Sequence, residues 1–121
     1  MMKKILVVED NNPFLIILCQ FLSAEGYQVG SANNGEEALK LLENDTFDVV
    51  VSDVSLPGID GYALLDHLRS RFANTPVILM SGDLTLAPSS TGPVGPNALL
   101  LKPFSLNELL HAIRSALNQD R

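Results

Sequence analysis

Five polar side chains in this sequence each close a short aliphatic run. Glu9 and Asp10 follow Ile5-Leu6-Val7-Val8, Asp53 follows Val49-Val50-Val51-Ser52, Ser81 follows Val77-Ile78-Leu79-Met80, and Lys102 follows Ala98-Leu99-Leu100-Leu101. If these runs are neighbouring strands of a parallel sheet, all five groups project from one edge. Ligands of open parallel sheets bind at that edge. Three carboxylates gathered there repel one another. At ~6 Å and an effective dielectric of about 20, each pair costs nearly ~3 kcal/mol before relaxation. A divalent cation removes that cost, and hard oxygen donors with several retained waters are what magnesium prefers. A phosphoryl group fits the same place. Asp53 would be the attacking carboxylate, Lys102 and magnesium would neutralise phosphoryl oxygens, and the Ser81 hydroxyl would hydrogen-bond one of them.

Each residue also has a plainer reading. Asp53 alone could cap a helix, Ser81 could serve a turn, and Lys102 could be a solvated lysine. Glu9 and Asp10 could simply precede a helix, where negative charge is favoured, although that explains one acid better than two. Asp60 reads as a turn residue before Gly61, Gly35 as a turn glycine, and His67 and His111 as surface side chains on helices. The shared position after an apolar run separates the five from these.

The elements that must position them alternate along the chain. Lys4–Val8 reads as a strand, with Asn11 or Asn12 capping a helix that Pro13 opens. Phe14, Ile17, Leu18, Phe21 and Leu22 recur at helical spacing, and Gly26 closes the helix. A weaker strand spans about Gln28 to Ala32, followed by a helix carrying Ala38, Leu39 and Leu42. Phe47 to Ser52 reads as a strand buried on both faces, because Val49, Val50 and Val51 are continuous instead of alternating. A helix from about Gly61 to Arg71 presents Leu64, Leu65 and Leu68. Pro76 opens the strand Val77 to Met80. The strand Ala98 to Leu101 precedes a helix with Ser105 and Glu108 as a capping box, whose apolar face is Leu106, Leu109, Leu110, Ile113 and Leu117.

Five strands alternating with helices specify an α/β fold with a parallel sheet covered on both faces, joined by right-handed crossovers. One stretch breaks the rhythm. Gly82 to Pro96 holds Pro88, Pro93 and Pro96 with Gly92 and Gly95, and each proline inside a helix costs about 3 kcal/mol. The sequence predicts one distorted turn near Leu84 to Leu86 and irregular chain after it.

Composition narrows the partners. The 121 residues favour one domain, 1–121, and 46% apolar with 18% charged residues suits a packed core rather than disorder. A net charge of -6 argues against direct nucleic-acid binding. Cys19 is the single cysteine, so no internal disulfide forms and a reducing, cytoplasmic setting fits. Ile5 to Val8 is too short for a signal-peptide core or a membrane span.

In sequence order, KILVVEDNNPF, VVVSDVSLPGIDG with its Asp-x-x-x-Pro-Gly-x-Asp-Gly spacing, ILMSG and LLLKPF resemble the response-regulator receiver family of two-component signalling. The similarity runs from Lys3 to about Leu117. It implies a doubly wound, flavodoxin-like (βα)5 fold with strand order 2-1-3-4-5, the fourth helix here being distorted or missing. It implies magnesium (Mg2+) held by Glu9, Asp10, Asp53 and the backbone carbonyl of Ser55. Asp53 would accept phosphate from a histidine kinase or a histidine phosphotransfer domain. Lys102 would pair with phosphoryl oxygens, Ser81 would shift toward them, and Lys102-Pro103 would be cis.

Two departures fall on the face through which such domains commonly signal. Leu99 stands where the family commonly has an aromatic ring three positions before the lysine, and the proline-rich 82–96 stretch follows Ser81. The expectation is retained phosphorylation chemistry with an atypical output face. Leu15, Ile16 and Cys19 form a second apolar strip on the first helix, either part of a broad buried face or a homodimer or partner contact. Three other classes compete. A magnesium-dependent phosphatase also uses a strand-end aspartate, but normally with a second aspartate where Ser55 stands. A flavodoxin-like cofactor binder lacks its phosphate loop here. A phosphorylation-independent pseudo-receiver would serve only for docking. The end at Arg121 fits a stand-alone receiver and a piece of a longer protein equally.

Overall fold

The aliphatic runs do form one parallel sheet. In the computed structural model, which describes residues 2–83 and 95–118, the elements are β1 (Lys4–Val8), α1 (Asn12–Ala24), β2 (Gln28–Ala32), α2 (Gly35–Asn44), β3 (Val49–Asp53), α3 (Gly61–Arg71), β4 (Val77–Ser81), β5 (Ala98–Leu101) and α4 (Leu106–Asn118). The strand order is β2-β1-β3-β4-β5, with every pair parallel. This is the parallel sheet that the alternating elements predict, in the doubly wound 2-1-3-4-5 order that the resemblance implies. The distorted turn predicted near Leu84 to Leu86, and with it the fate of a further helix, lies outside the described residues.

The continuous apolar runs follow from burial on two faces. Leu6, Val8, Val50 and Leu79 point to one side, where Ala38 and Leu42 of α2 and Leu64, Leu65 and Leu68 of α3 cover them. Ile5, Val7, Val49, Val51, Ile78 and Met80 point to the other, under Leu15, Leu18 and Leu22 of α1 and Leu109 and Ile113 of α4. Each fully buried aliphatic side chain contributes about 1.5–3 kcal/mol relative to exposure. The two layers hold β1, β3 and β4 rigidly.

Capping side chains set where the helices begin, as their types predict. Asn11 Oδ1 accepts the Phe14 amide at 3.1 Å, Asn34 Oδ1 the Glu37 amide at 2.8 Å, and Asp60 Oδ1 the Ala63 amide at 2.8 Å. Ser105 and Glu108 exchange the two bonds of a capping box, at 3.0 and 3.3 Å. Gly26 follows α1 with φ +96°, the left-handed conformation that glycine adopts without strain. Among the described residues, no helix is long and apolar enough to cross a membrane.

Two sequence expectations are corrected. The buried stripe of α1 is Leu15, Leu18 and Leu22, with Cys19 packed partly against the same core. Ile16 and Ile17 are about half exposed, at 55% and 50%. Of the two readings offered for Leu15, Ile16 and Cys19, the structure gives the buried face for Leu15 and, in part, for Cys19. It leaves Ile16 outside that face, so the three do not form one outward strip. The apolar residues run nearly all round this helix, so at 100° per residue the pattern left its rotation open by roughly 70°. Gly35 is not a turn glycine either. It begins α2, where a Cβ would come within 2.7 Å of the Ile59 carbonyl oxygen.

Candidate functional site

The carboxyl ends of β1, β3, β4 and β5 deliver the predicted residues to one edge. The ladder continues past the strands and fixes each end: the Glu9 amide donates to Ala32, Val54 to Met80 and Lys102 to Ser81, at 3.0, 2.8 and 2.8 Å. One carboxylate oxygen from each of Glu9, Asp10 and Asp53 lies within 4.8 Å of the others. Glu9 and Asp53 are buried, and Asp10 is exposed.

Lys102 joins this group from β5. Its Nζ donates to Asp53 Oδ2 at 2.9 Å and to Glu9 Oε1 at 3.2 Å. The second oxygen of Asp53 accepts the Ser55 amide at 3.2 Å, and the second oxygen of Glu9 accepts the Asn11 amide at 3.1 Å. Burial pushes the Glu9 carboxyl above its ordinary pKa; the Asn11 amide opposes this, Asp53 reinforces it, and Lys102 offsets part of it. Burial pulls the Lys102 ammonium down. Its hydrogen bond to Asp53 and the charges of Asp53 and Glu9 outweigh that and hold it above its ordinary value. A buried carboxylate pair held by one cation is an anionic site that prefers further positive charge.

Ser81 is buried at the end of β4, but its hydroxyl is turned to its own loop. Oγ donates to the Asp83 carbonyl at 2.9 Å and accepts the Asp83 amide at 3.1 Å. Lys102-Pro103 is cis, as the resemblance implies. Asp60 caps α3, a structural role, and His111 is exposed.

Two residues near the site escaped the sequence reading. Gly61 lies against the end of β3: a Cβ there would sit 2.5 Å from the Asp53 carbonyl oxygen and 2.7 Å from Val54 Cα. Its amide donates to the Val54 carbonyl at 2.8 Å. The signal was the Asp60-Gly61 pair, read only as a turn. Phe14, assigned to the core, places its ring centroid 5.2 Å from Lys102 Nζ, within cation–π range. With Asn11, Pro103 and Phe104 it lines a shallow cavity of about 400 Å³ beside the acids. No periodicity distinguishes such a residue from a core phenylalanine.

A five-stranded parallel sheet with this acid cluster and a lysine from the last strand defines a receiver-type domain. The family model for the response regulator receiver domain matches residues 5–114, and the chain belongs to that family. It is a family of signalling receivers rather than of conventional enzymes, and it implies a histidine kinase as partner. Among curated relatives, the Bacillus subtilis transcriptional regulatory protein YkoG is 38% identical over 117 residues, covering 96% of this chain and 51% of its own length. The chain spans about half the length of the curated relatives it matches. The CheY-like receiver of Methanospirillum hungatei superposes with a TM-score of 0.92 at 30% identity, over 99% of this chain and 97% of that one. The Thermotoga maritima response regulator TrrA, solved in complex with Mg(2+)-BeF, matches with a TM-score of 0.87 at 30% identity, over 96% and 100% of the two chains.

Proposed function

We propose that this chain is the phosphoacceptor of a two-component phosphorelay, and that Asp53 is the residue phosphorylated. The observation that carries this is the meeting of three carboxylates within 4.8 Å around Asp53 with the Lys102 ammonium on two of them. The donor set fits magnesium: hard carboxylate oxygens, one of them on exposed Asp10 where water would complete the shell. Glu9, Asp10, Asp53 and the Ser55 carbonyl would hold it, and it would supply charge neutralisation at the phosphoryl oxygens.

The chain's own residues do the rest. A carboxylate oxygen of Asp53 forms the new P–O bond while the P–N bond of a phosphohistidine breaks, and the electron pair leaves on the imidazole. The phosphohistidine belongs to a histidine kinase or a histidine phosphotransfer domain. The Ser55 amide holds one Asp53 oxygen and so orients the carboxylate. Lys102, already placed by Asp53 and Glu9, moves its charge to the incoming phosphoryl oxygens. Ser81 reaches them by giving up its bonds to Asp83.

The output is read as atypical. Leu99, 40% exposed on the outer face of β5, stands in place of an aromatic ring, so ring rotation does not report the state of Ser81. A single receiver domain over 1–121, in the cytoplasm and without direct nucleic-acid contact, completes the reading. Relatives such as YkoG are transcriptional regulators, and control of transcription by a larger protein containing this domain fits them.

Acetyl phosphate or beryllofluoride with magnesium tests the proposal. The wild type gains an adduct or a conformational shift, and Asp53→Asn gains neither. An adduct of equal yield in Asp53→Asn, or none in the wild type, overturns it.

A further inference from the structure

The strand that delivers Lys102 has no apolar pattern to fix its register. β5 reads Ala98-Leu99-Leu100-Leu101, with Leu100 partly buried and Leu99 and Leu101 40% and 42% exposed. Sliding it by one residue along β4 puts a leucine back in the buried place at little hydrophobic cost. In a strand the register is specified by which face is apolar, and here both are. β5 is also an edge strand, paired only with β4. Yet a slip of one residue moves Lys102 by roughly 3.3 Å and reverses the side on which it emerges, which breaks its 2.9 Å contact with Asp53.

Polar contacts at the start of the strand supply what the leucines do not. The Asn97 amide donates to the Val77 carbonyl at 2.7 Å, and Asn97 Oδ1 accepts the Val77 amide at 2.9 Å. Backbone and side chain of one residue thus grip both groups of one partner. Arg69, from α3, holds that grip: Nη2 donates to Asn97 Oδ1 at 2.8 Å and to the Gly95 carbonyl at 3.3 Å, while Nη1 donates to the Thr75 carbonyl at 2.7 Å. One planar fork reaches both strands' lead-in segments, which a lysine cannot do. Five residues on, the other end is tied by the Lys102 amide to the Ser81 carbonyl at 2.8 Å.

We propose that Asn97, held by Arg69, is the register lock of β5 and the positioning residue for Lys102. The inference rests on Lys102 acting at the phosphoryl group, as given above. It separates two parts of the pocket: the acids on β1 and β3 do not depend on the lock, and the lysine does.

Phosphorylation by acetyl phosphate with magnesium, followed by intact mass, should slow by roughly tenfold to a hundredfold in Asn97→Ala, the cost of misplacing one charged group. Asn97→Asp keeps an acceptor for both the Val77 amide and Arg69 and stays close to wild type. Arg69→Lys falls between. Magnesium affinity in Asn97→Ala is retained or tightens, because the acids keep their places and lose a competing cation. Equal rates in Asn97→Ala and wild type overturn the lock. So does magnesium affinity falling in step with the rate, which marks general loosening. Hydrogen exchange of the Lys102 amide reads the lock without a phosphodonor: it should quicken in Asn97→Ala and Arg69→Lys while the Val50 and Val51 amides stay protected, and unchanged exchange overturns it. A wild type that is never phosphorylated counts against the proposed function and leaves the exchange measurement to judge the lock.

Discussion

The two sides of the pocket are held in place by different physics. β1 and β3, which carry the acids, are sandwiched between two helical layers: Ile5 to Val8 and Val49 to Val51 are fully buried. β5, which carries Lys102, leaves two of its three leucines about two-fifths exposed and leans on hydrogen bonds at its ends. Burial is non-directional but large, whereas each hydrogen bond contributes only about 0.5–1.5 kcal/mol net and is highly directional. The acids are therefore fixed by bulk packing and the lysine by geometry. A site built this way can reposition its lysine without disturbing its carboxylates.

The most severe way to break the comparison is to make the same substitution on both sides. Leu6→Ala in β1 opens a cavity between packed layers and should cost about 2–5 kcal/mol. Leu99→Ala in β5 should cost under about 1 kcal/mol, as surface changes do. Urea unfolding of the two variants gives both numbers. Equal losses would show that β5 is as deeply packed as β1 and remove the contrast.

Gly61→Ala is the next largest. The added methyl meets backbone, not a flexible side chain, 2.5 Å from the Asp53 carbonyl. The α3 start or the loop after β3 must shift, at about 1–3 kcal/mol. Because the shift falls on Asp53 and Val54, phosphorylation by acetyl phosphate should slow as well. A destabilised variant with an unchanged rate would place the strain in α3 alone.

How much of this was legible follows the same division. In the central strands, packed on both faces, the pattern was readable: the unbroken runs at Ile5, Val49 and Val77 give the strands, and the residues that end them give the pocket. Side-chain types named the caps at Asn11 or Asn12 and at Ser105 because a short polar oxygen serves a free amide locally, whereas Asp60, read as a turn residue, proved to cap α3. The rotation of α1 was not readable, since Phe14 to Leu22 is apolar on nearly every side and only the facing layers choose Leu15 over Ile17. Gly61 and Asn97 were hidden for another reason. Asn97 acts on Val77 across the fold, which nothing in its own neighbourhood announces, and the Asp60-Gly61 pair that signalled Gly61 reads equally well as a turn.

The smallest expected effect probes the acid side itself. Burial, above all, holds the Glu9 carboxyl above its ordinary value near 4.5. The folded state therefore binds that proton more tightly than the unfolded chain does, so stability is lost as pH rises from 4.5 through the raised value. Glu9→Gln cannot ionise and escapes this loss. In magnesium-free buffer it should match wild type below about pH 4.5 and exceed it in melting temperature above the raised value. Magnesium should narrow the gap, because a cation that binds the ionised folded state stabilises it by mass action. A variant less stable than wild type at neutral pH without magnesium would mean that the Lys102–Glu9 contact at 3.2 Å outweighs the cost of burying the charge. The lysine would then be a fixed part of the acid cluster, and the division between a rigid acid side and a movable lysine would not hold.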